Sequence, residues 1–277
     1  MLIILCDHVV VRNVVQTLPE GGSVRGLTSL DDHLYVLRGN KSSNQIEVYD
    51  IDSFRLLRYI TVPRLGTTSD IVACVHYNCA YISDSGGQSV RRVALPDAAI
   101  KGWPVSDVPC CLSVTDKYDV LVTCHKVRKI KEFTTDGQLL RHVVLPEDVL
   151  SPWQTVQLSS GELIVCHGNP GSSLRRASLI SSDGQVVKSY GGPERSCNQQ
   201  MYSPGHMAVD ENESFFVADH SNDRVLLLSP TLTYVREVMS PEQNYWKPFR
   251  LSVDVKRRRL YVAQNKQISG RVVVVNV

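Results

Sequence analysis

The sequence predicts an all-β protein. The expected architecture is a six-bladed β-propeller of four-stranded antiparallel blades, closed by the N-terminal strand joining the last blade. Three observations carry this expectation. Apolar residues alternate with polar ones at period two over short runs, and no useful stretch shows the 3.6-residue period of a helix. The runs are separated by tight polar turns. The whole pattern recurs at steps of 41 to 51 residues along a chain of 277, close to the spacing of about 40 to 45 expected of a propeller blade.

Residues 204–230 show the unit most clearly. His206 to Val209, Phe215 to Ala218 and Val225 to Leu228 are three apolar runs joined by the polar turns Asp210 to Ser214 and Asp219 to Asp223. The apolar residue opening the first strand is Leu27, Ile71, Leu112, Val156, Met207 and Leu251 in successive copies. Second strands follow at Leu34–Leu37, Ala80–Ser83, Val120–Thr123, Leu163–Cys166, Phe215–Ala218 and Leu260–Ala263. Third strands follow at Gln45–Asp50, Val90–Val93, Lys129–Phe133, Arg176–Ile180, Val225–Leu228 and Val272–Val275. Fourth strands are visible at Leu56–Thr61, Leu139–Leu145, Val186–Tyr190 and Val235–Met239. Asp136-Gly137 and Asp183-Gly184 join third to fourth strands, and Asp-Gly is a favoured tight-hairpin pair.

A single domain over 1–277 is expected. Its blades lie at about 22–62, 66–105, 107–146, 150–192, 203–240 and 246–277. The long step between the fourth and fifth copies is an insertion, Gly191 to Ser203. The last copy stops after three strands, and an unmatched strand, Val9 to Val15, precedes the first. That strand is expected to supply the missing outer strand and so remove an open edge.

Net charge is +2, so no global field marks a nucleic-acid or membrane binder. No run approaches bilayer-spanning length, and the apolar stretch at the N-terminus is too short for a signal peptide. The expectation is a cytoplasmic, monomeric propeller, complete or part of a longer chain whose upstream domains oligomerise it. Among the 8 cysteines, Cys74, Cys79, Cys124 and Cys166 lie in or at the ends of strand-like runs, which favours reduced, buried thiols over a disulfide framework.

Met207-Ala208-Val209-Asp210, Phe216-Val217-Ala218-Asp219 and Asn222-Asp223-Arg224-Val225 together resemble the NHL repeat. Tyr81-Ile82-Ser83-Asp84 through Val90 resembles it more loosely. The resemblance implies a six-bladed propeller. It also implies a function like the C-terminal recognition domain of tripartite-motif ubiquitin ligases, which binds protein or RNA. Zinc-binding RING and B-box spacings are lacking, so the resemblance extends to the recognition part alone. Lactonases, strictosidine-synthase-like enzymes and amidating lyases share the architecture, and fold does not fix function among them.

Two groups of residues carry candidate chemistry. Second strands end in Cys124-His125, Cys166-His167 and Asp219-His220. A shared metal there is opposed by geometry. Second strands stand about 10 Å from a propeller axis, whereas zinc needs ligands at about 2.0–2.3 Å. Basic residues follow these histidines: Lys126, Arg128, Lys129 and Lys131, then Arg175 and Arg176, then Arg224. With His125, His167 and His220 they form a basic sector on one face, suited to RNA phosphates or an acidic protein surface. The competing reading makes Arg224 a tie within its blade and alternate lysines the solvent side of a strand. Lys256 to Arg259, on the opposite face, reads as a solvated turn.

The second group lines the channel mouth. The residue before each anchor is Gly26, Asp70, Cys111, Thr155, His206 and Arg250. Of these, Asp70 alone suits a hard cation. Asp70, Cys111, His206 and Arg250 can bind a small polar ligand, run acid–base chemistry, or simply fill the channel. Cys110-Cys111 is a vicinal pair, and Cys74 and Cys79 flank a short turn. Neither belongs to a C-x-x-C motif, and both pairs read first as small buried hydrophobes. Trp103-Pro104, Pro152-Trp153 and Trp246-Lys247-Pro248 each precede a first strand, as blade entries whose aromatics read as packing between blades or as interface anchors.

The leading expectation is a non-enzymatic recognition module for protein or RNA, without cofactor, metal or catalytic residues. It is similar to the substrate-recognition part of a ubiquitin ligase. The alternative is a propeller hydrolase or lyase working at the channel mouth.

Overall fold

The computed structural model describes residues 14–39, 45–95, 97–168, 174–192, 200–240 and 246–277. The fold is built of strands. Four sheets have four strands each. These are β6 to β9 (Thr68–Cys74, Cys79–Asp84, Ser89–Ala94, Ile100–Pro104) and β10 to β13 (Leu112–Val114, Val120–Cys124, Lys129–Phe133, Leu139–Val144). The others are β14 to β17 (Pro152–Gln157, Leu163–His167, Arg176–Ile180, Val186–Gly191) and β18 to β21 (Pro204–Val209, Phe215–Asp219, Arg224–Leu228, Tyr234–Met239). The remaining eight strands form one sheet. They are β1 (Val14–Thr17), β2 to β5 (Gly21–Leu30, His33–Gly39, Gln45–Asp50, Leu56–Thr61) and β22 to β24 (Lys247–Asp254, Arg259–Lys266, Ser269–Asn276).

The first strand of each repeat lies innermost. These strands touch in the cyclic order β2, β6, β10, β14, β18, β22 and back to β2, which makes the protein a β-propeller. Burial follows from this order. Second strands are flanked on both faces, so β7, β11 and β19 are buried along their whole length. This is why they read as continuous apolar runs rather than as clean alternation. Outer strands such as β13 are exposed at nearly every residue. Apolar clusters fill the gaps between neighbouring sheets, for example Tyr81, Trp103, Val122 and Phe133 between the β6–β9 and β10–β13 sheets. Each fully buried side chain of this size contributes roughly 1.5–3 kcal/mol.

The layout of strands departs from the expectation in three places. First, six separate four-stranded sheets were expected, but only four stand apart. The start of β2 runs on into the end of β24 through the pairs Gly21–Gly270 and Gly22–Ser269, fusing the first and last repeats. Gly270 is required for this approach: a Cβ there would lie 2.6 Å from the Val24 nitrogen. Second, the N-terminal strand that pairs antiparallel with β24 is Val14–Thr17, against Val273 to Val275. Residues 9–13 of the expected strand lie outside the described residues. Third, Trp103-Pro104 is no blade entry but the end of the outer strand β9, whose Gly102 and Pro104 hid it from a strand reading. The Asp136-Gly137 turn forms as expected. Gly137 takes φ +89°, and its nitrogen donates to the Thr134 carbonyl.

The Lys256–Arg259 turn is no plain solvated turn. Arg257 pairs with Asp52, Asp32 and Asp254 at 2.9, 2.8 and 3.3 Å, and Arg259 pairs with Asp52 at 3.2 Å. These ion pairs tie the last repeat to the first beside the fused sheet. Among the described residues no helix is long and apolar enough to cross a membrane.

Candidate functional site: the axial hub and the basic face

Four of the innermost strands bring one ionisable residue each to the axis, at or directly before the strand. Asp70, Cys111, His206 and Arg250 converge there and are 1, 0, 5 and 3% exposed, so they form a buried hub rather than an open mouth. Asp70 Oδ2 accepts from the Leu112 nitrogen at 3.0 Å. Its Oδ1 lies 3.4 Å from Arg250 Nε and 3.7 Å from His206 Nε2. The Arg250 guanidinium donates to the carbonyls of Phe249 and Ser69 at 3.0 and 2.6 Å. Neighbouring innermost positions are held by polar ties as well. Gln154 Oε1 accepts from the Met207 nitrogen, and Ser113 Oγ donates to the Thr155 carbonyl.

Asp70, Cys111 and His206 offer ligand atoms within 4.8 Å of one another. The surrounding chemistry does not suit a metal. The Leu251 nitrogen donates to His206 Nδ1 at 3.2 Å, so the neutral ring carries its proton on Nε2, the atom that faces Asp70. A cation on Nε2 would have to displace that proton, and Arg250 already holds positive charge against the same carboxylate. The Cys111 thiol is pushed well up by its contact with Cys110 and by burial, which opposes a thiolate ligand. Burial pushes the His206 pKa down, with Asp70 offsetting part of that, so the ring is neutral at pH 7. The hub is therefore an Asp–Arg pair bridged to a neutral histidine, with its charges balanced.

The histidine column separates into two devices. His125 and His220 each begin a short 3-10 turn, 125–127 and 220–222, after their second strands. His125 Nδ1 donates to the Pro152 carbonyl at 3.2 Å, and His220 Nδ1 donates to the Pro248 carbonyl at 3.0 Å. Each histidine also packs on the aromatic residue beside that proline, Trp153 at 4.3 Å and Phe249 at 5.9 Å. They are clamps between neighbouring sheets, and burial lowers both pKa values. The signal for this was present in the sequence as Pro152-Trp153 and Pro248-Phe249, but not its direction. His167 differs. It is buried within β15, where Nε2 meets Ser178 Oγ at 2.8 Å, and burial with the nearby Arg176 pushes its pKa down to about 4.

The basic residues divide in the same way. Arg224 is a tie within its sheet, bonded to Asp219, Glu237 and the Gln200 carbonyl. Lys131 is buried on Asp107 and the Val105 carbonyl. Arg175 lies 4.1 Å from the centre of the Tyr202 ring, a cation–π contact. Arg176 pairs with His167 across β15–β16. Lys126 is exposed, and Arg128 and Lys129 are half-buried. The side chains of these three form no hydrogen bond or ion pair among the described residues.

No protein-family model matches the chain, and no curated protein matches it in sequence. Among solved structures, the hydrazine synthase of Kuenenia stuttgartiensis aligns with a TM-score of 0.65 and 14% identity, over 92% of this chain and 96% of that one. A streptogramin B lyase aligns with a TM-score of 0.64 and 14% identity, over 95% of this chain and 96% of that one. The β-propeller domain of Cps50 (Swd1) from Myceliophteria thermophila aligns with a TM-score of 0.61 and 10% identity, over 92% of this chain and 84% of that one. At these identities the likeness establishes what the chain shares with all three, the β-propeller fold.

Proposed function

We propose that this chain is a non-enzymatic recognition module, a six-bladed propeller of the NHL kind that docks protein or RNA through the face carrying its second-to-third strand connections. The six-blade count treats the eight-stranded sheet as two blades, β2–β5 and β22–β24 with β1. The join of only two residue pairs and the six innermost strands support this count.

One observation carries the functional reading. Ionisable groups at the axis are buried and neutralise one another, while Lys126, Arg128 and Lys129, whose side chains form no hydrogen bond or ion pair among the described residues, stand beside the half-exposed His125–Trp153 pair. Arg175 on the Tyr202 ring extends this basic and aromatic surface to the next sheets. Aromatic and arginine side chains are the groups that anchor interfaces most strongly. Hydrolase or lyase chemistry at the hub would need an accessible acid or base. Asp70 is committed to Arg250, and His206 has its acceptor nitrogen committed to the backbone. Placement in the cytoplasm, possession of a single subunit and a role in ubiquitin-ligase substrate choice belong to the same reading. The six described cysteines are free thiols, in keeping with a reducing compartment.

The test is affinity capture with the full chain and with a Lys126→Glu/Arg128→Glu/Lys129→Glu variant. The reading predicts a set of proteins or RNAs held by the wild type and lost by a variant that unfolds at the same temperature. Equal capture by both chains would overturn it, as would turnover of an ester or lactone by the purified protein.

A further inference from the structure

We infer that Cys74 and Cys79 are an oxidisable dithiol, a site that hydrogen peroxide converts to a disulfide at the foot of the Val75–Asn78 turn. The two cysteines are direct partners in the β6–β7 register and face the same apolar cluster. Side chains so placed have Cβ atoms about 4.5–5.5 Å apart, and a disulfide needs about 3.5–4.5 Å. A small closing movement of one hairpin end joins them. The other cysteine pair is worse placed. Cys110 and Cys111 are adjacent, and the ~3.8 Å between neighbouring Cα atoms is below the 4.4–6.8 Å usual for a disulfide.

Both thiols are buried, at 2% and 0% exposure, but the turn above them is exposed at all four residues, with Val75 at 71%. Across that turn the Asn78 nitrogen donates to the Val75 carbonyl at 3.2 Å, while the Asn78 carbonyl accepts from the Leu95 nitrogen at 3.1 Å and the His76 ring stacks on Tyr118 at 4.0 Å. Opening of a hairpin end of this kind admits a molecule as small as peroxide. The environment distinguishes the two sulfurs. Arg92 is the cross-strand partner of Tyr81, two residues from Cys79 on the same face, and its Nε has no hydrogen-bond partner among the described residues. The contact from Cys74, helped by Tyr81 and Arg92, lowers the Cys79 pKa to about 6, and the same contact raises that of Cys74. Burial instead pushes Cys124 and Cys166 up to about 12. Cys79 is therefore the attacking thiolate and Cys74 the resolving thiol.

The steps balance. The Cys79 sulfur attacks one peroxide oxygen and the O–O bond breaks. Cys79 becomes a sulfenic acid, and the departing hydroxide takes up a proton as water. Cys74 then attacks the Cys79 sulfur. The S–S bond forms, the S–O bond breaks, and the leaving hydroxyl takes the Cys74 proton as a second water. Two electrons pass from the dithiol to the peroxide.

The test treats the full chain with hydrogen peroxide and maps the products by mass spectrometry of peptides. A Cys74–Cys79 cross-link, lighter by two hydrogens and reversed by dithiothreitol, is the expected result. Cys74→Ser should stall at a sulfenic acid on Cys79 that dimedone traps, and Cys79→Ser should give no adduct on Cys74. A cross-link confined to Cys110–Cys111 would overturn the inference. So would wild-type Cys74 and Cys79 that both remain free for alkylation after unfolding, or dimedone on Cys74 in place of Cys79. The wild-type map decides the matter even if a variant does not fold.

Discussion

Removing Arg250 alone should cost far more stability than removing it together with the charge of Asp70. Asp70 is 1% exposed, and its Oδ1 lies 3.4 Å from Arg250 Nε and 3.7 Å from the Nε2 of a neutral His206. Arg250→Met strands a carboxylate at the axis of the propeller. Loss of one partner of a buried pair costs about 3–5 kcal/mol. A domain of this kind is stable by about 5–15 kcal/mol, so the single variant should approach its unfolding threshold at room temperature. Asp70→Asn/Arg250→Met removes both charges, keeps the acceptor for the Leu112 nitrogen, and should lie within about 1–2 kcal/mol of wild type. Urea unfolding of the wild type, both single variants and the double variant closes the cycle. A coupling energy above about 2 kcal/mol is expected for a contacting, desolvated pair. Strict additivity would refute the account of the hub as a charge-balanced lock.

Three further outcomes follow from the same structure. His167 has a folded pKa near 4 against an ordinary 6.5, so the unfolded chain binds its proton first as pH falls. Its contribution is present above pH 6.5 and is lost down to about pH 4, by about 3 kcal/mol in total. His167→Gln should remove that part of the slope, and parallel stability–pH curves for the two proteins would contradict the assignment. Gly270→Ala sets a Cβ against backbone at 2.6 Å and should cost about 1–3 kcal/mol by forcing β2 and β24 apart, read as a lowered Tm. Arg224→Met should cost about 1.5–3 kcal/mol, less than Arg250→Met. Asp219 keeps hydrogen bonds from the Tyr202 and Ser203 nitrogens and from Asn222 Nδ2, and equal losses at both arginines would argue against this difference.

Much of the architecture was legible because each strand position has its own burial. Leu27, Ile71, Leu112, Val156, Met207 and Leu251 all fall in innermost strands. The fusion of the first and last repeats was not legible. It depends on how closely two glycine-bearing ends approach, which leaves no periodic mark. β9 was missed because Gly102 and Pro104 contradict strand propensity at an outer edge that tolerates both. Convergence of Asp70, Cys111, His206 and Arg250 could be read from their common place before each anchor. Their burial and the proton on His206 Nε2 could not, since the first follows from how tightly the innermost strands close and the second from the Leu251 nitrogen on a neighbouring strand. The basic residues stand out in the sequence as a group, but His125, His220, Arg224 and Lys131 are engaged within the fold. Counting charges along a chain cannot separate clamps from free cations.

Hydrogen exchange of the full chain, alone and loaded with the partner it captures, tests the recognition reading most directly. The prediction is protection concentrated at the connections around His125 to Lys129 and Arg175 to Arg176, with the turns at 75–78, 115–118 and 255–258 unchanged. Protection confined to those opposite-face turns, or slowed exchange at the axial strands alone, would contradict it.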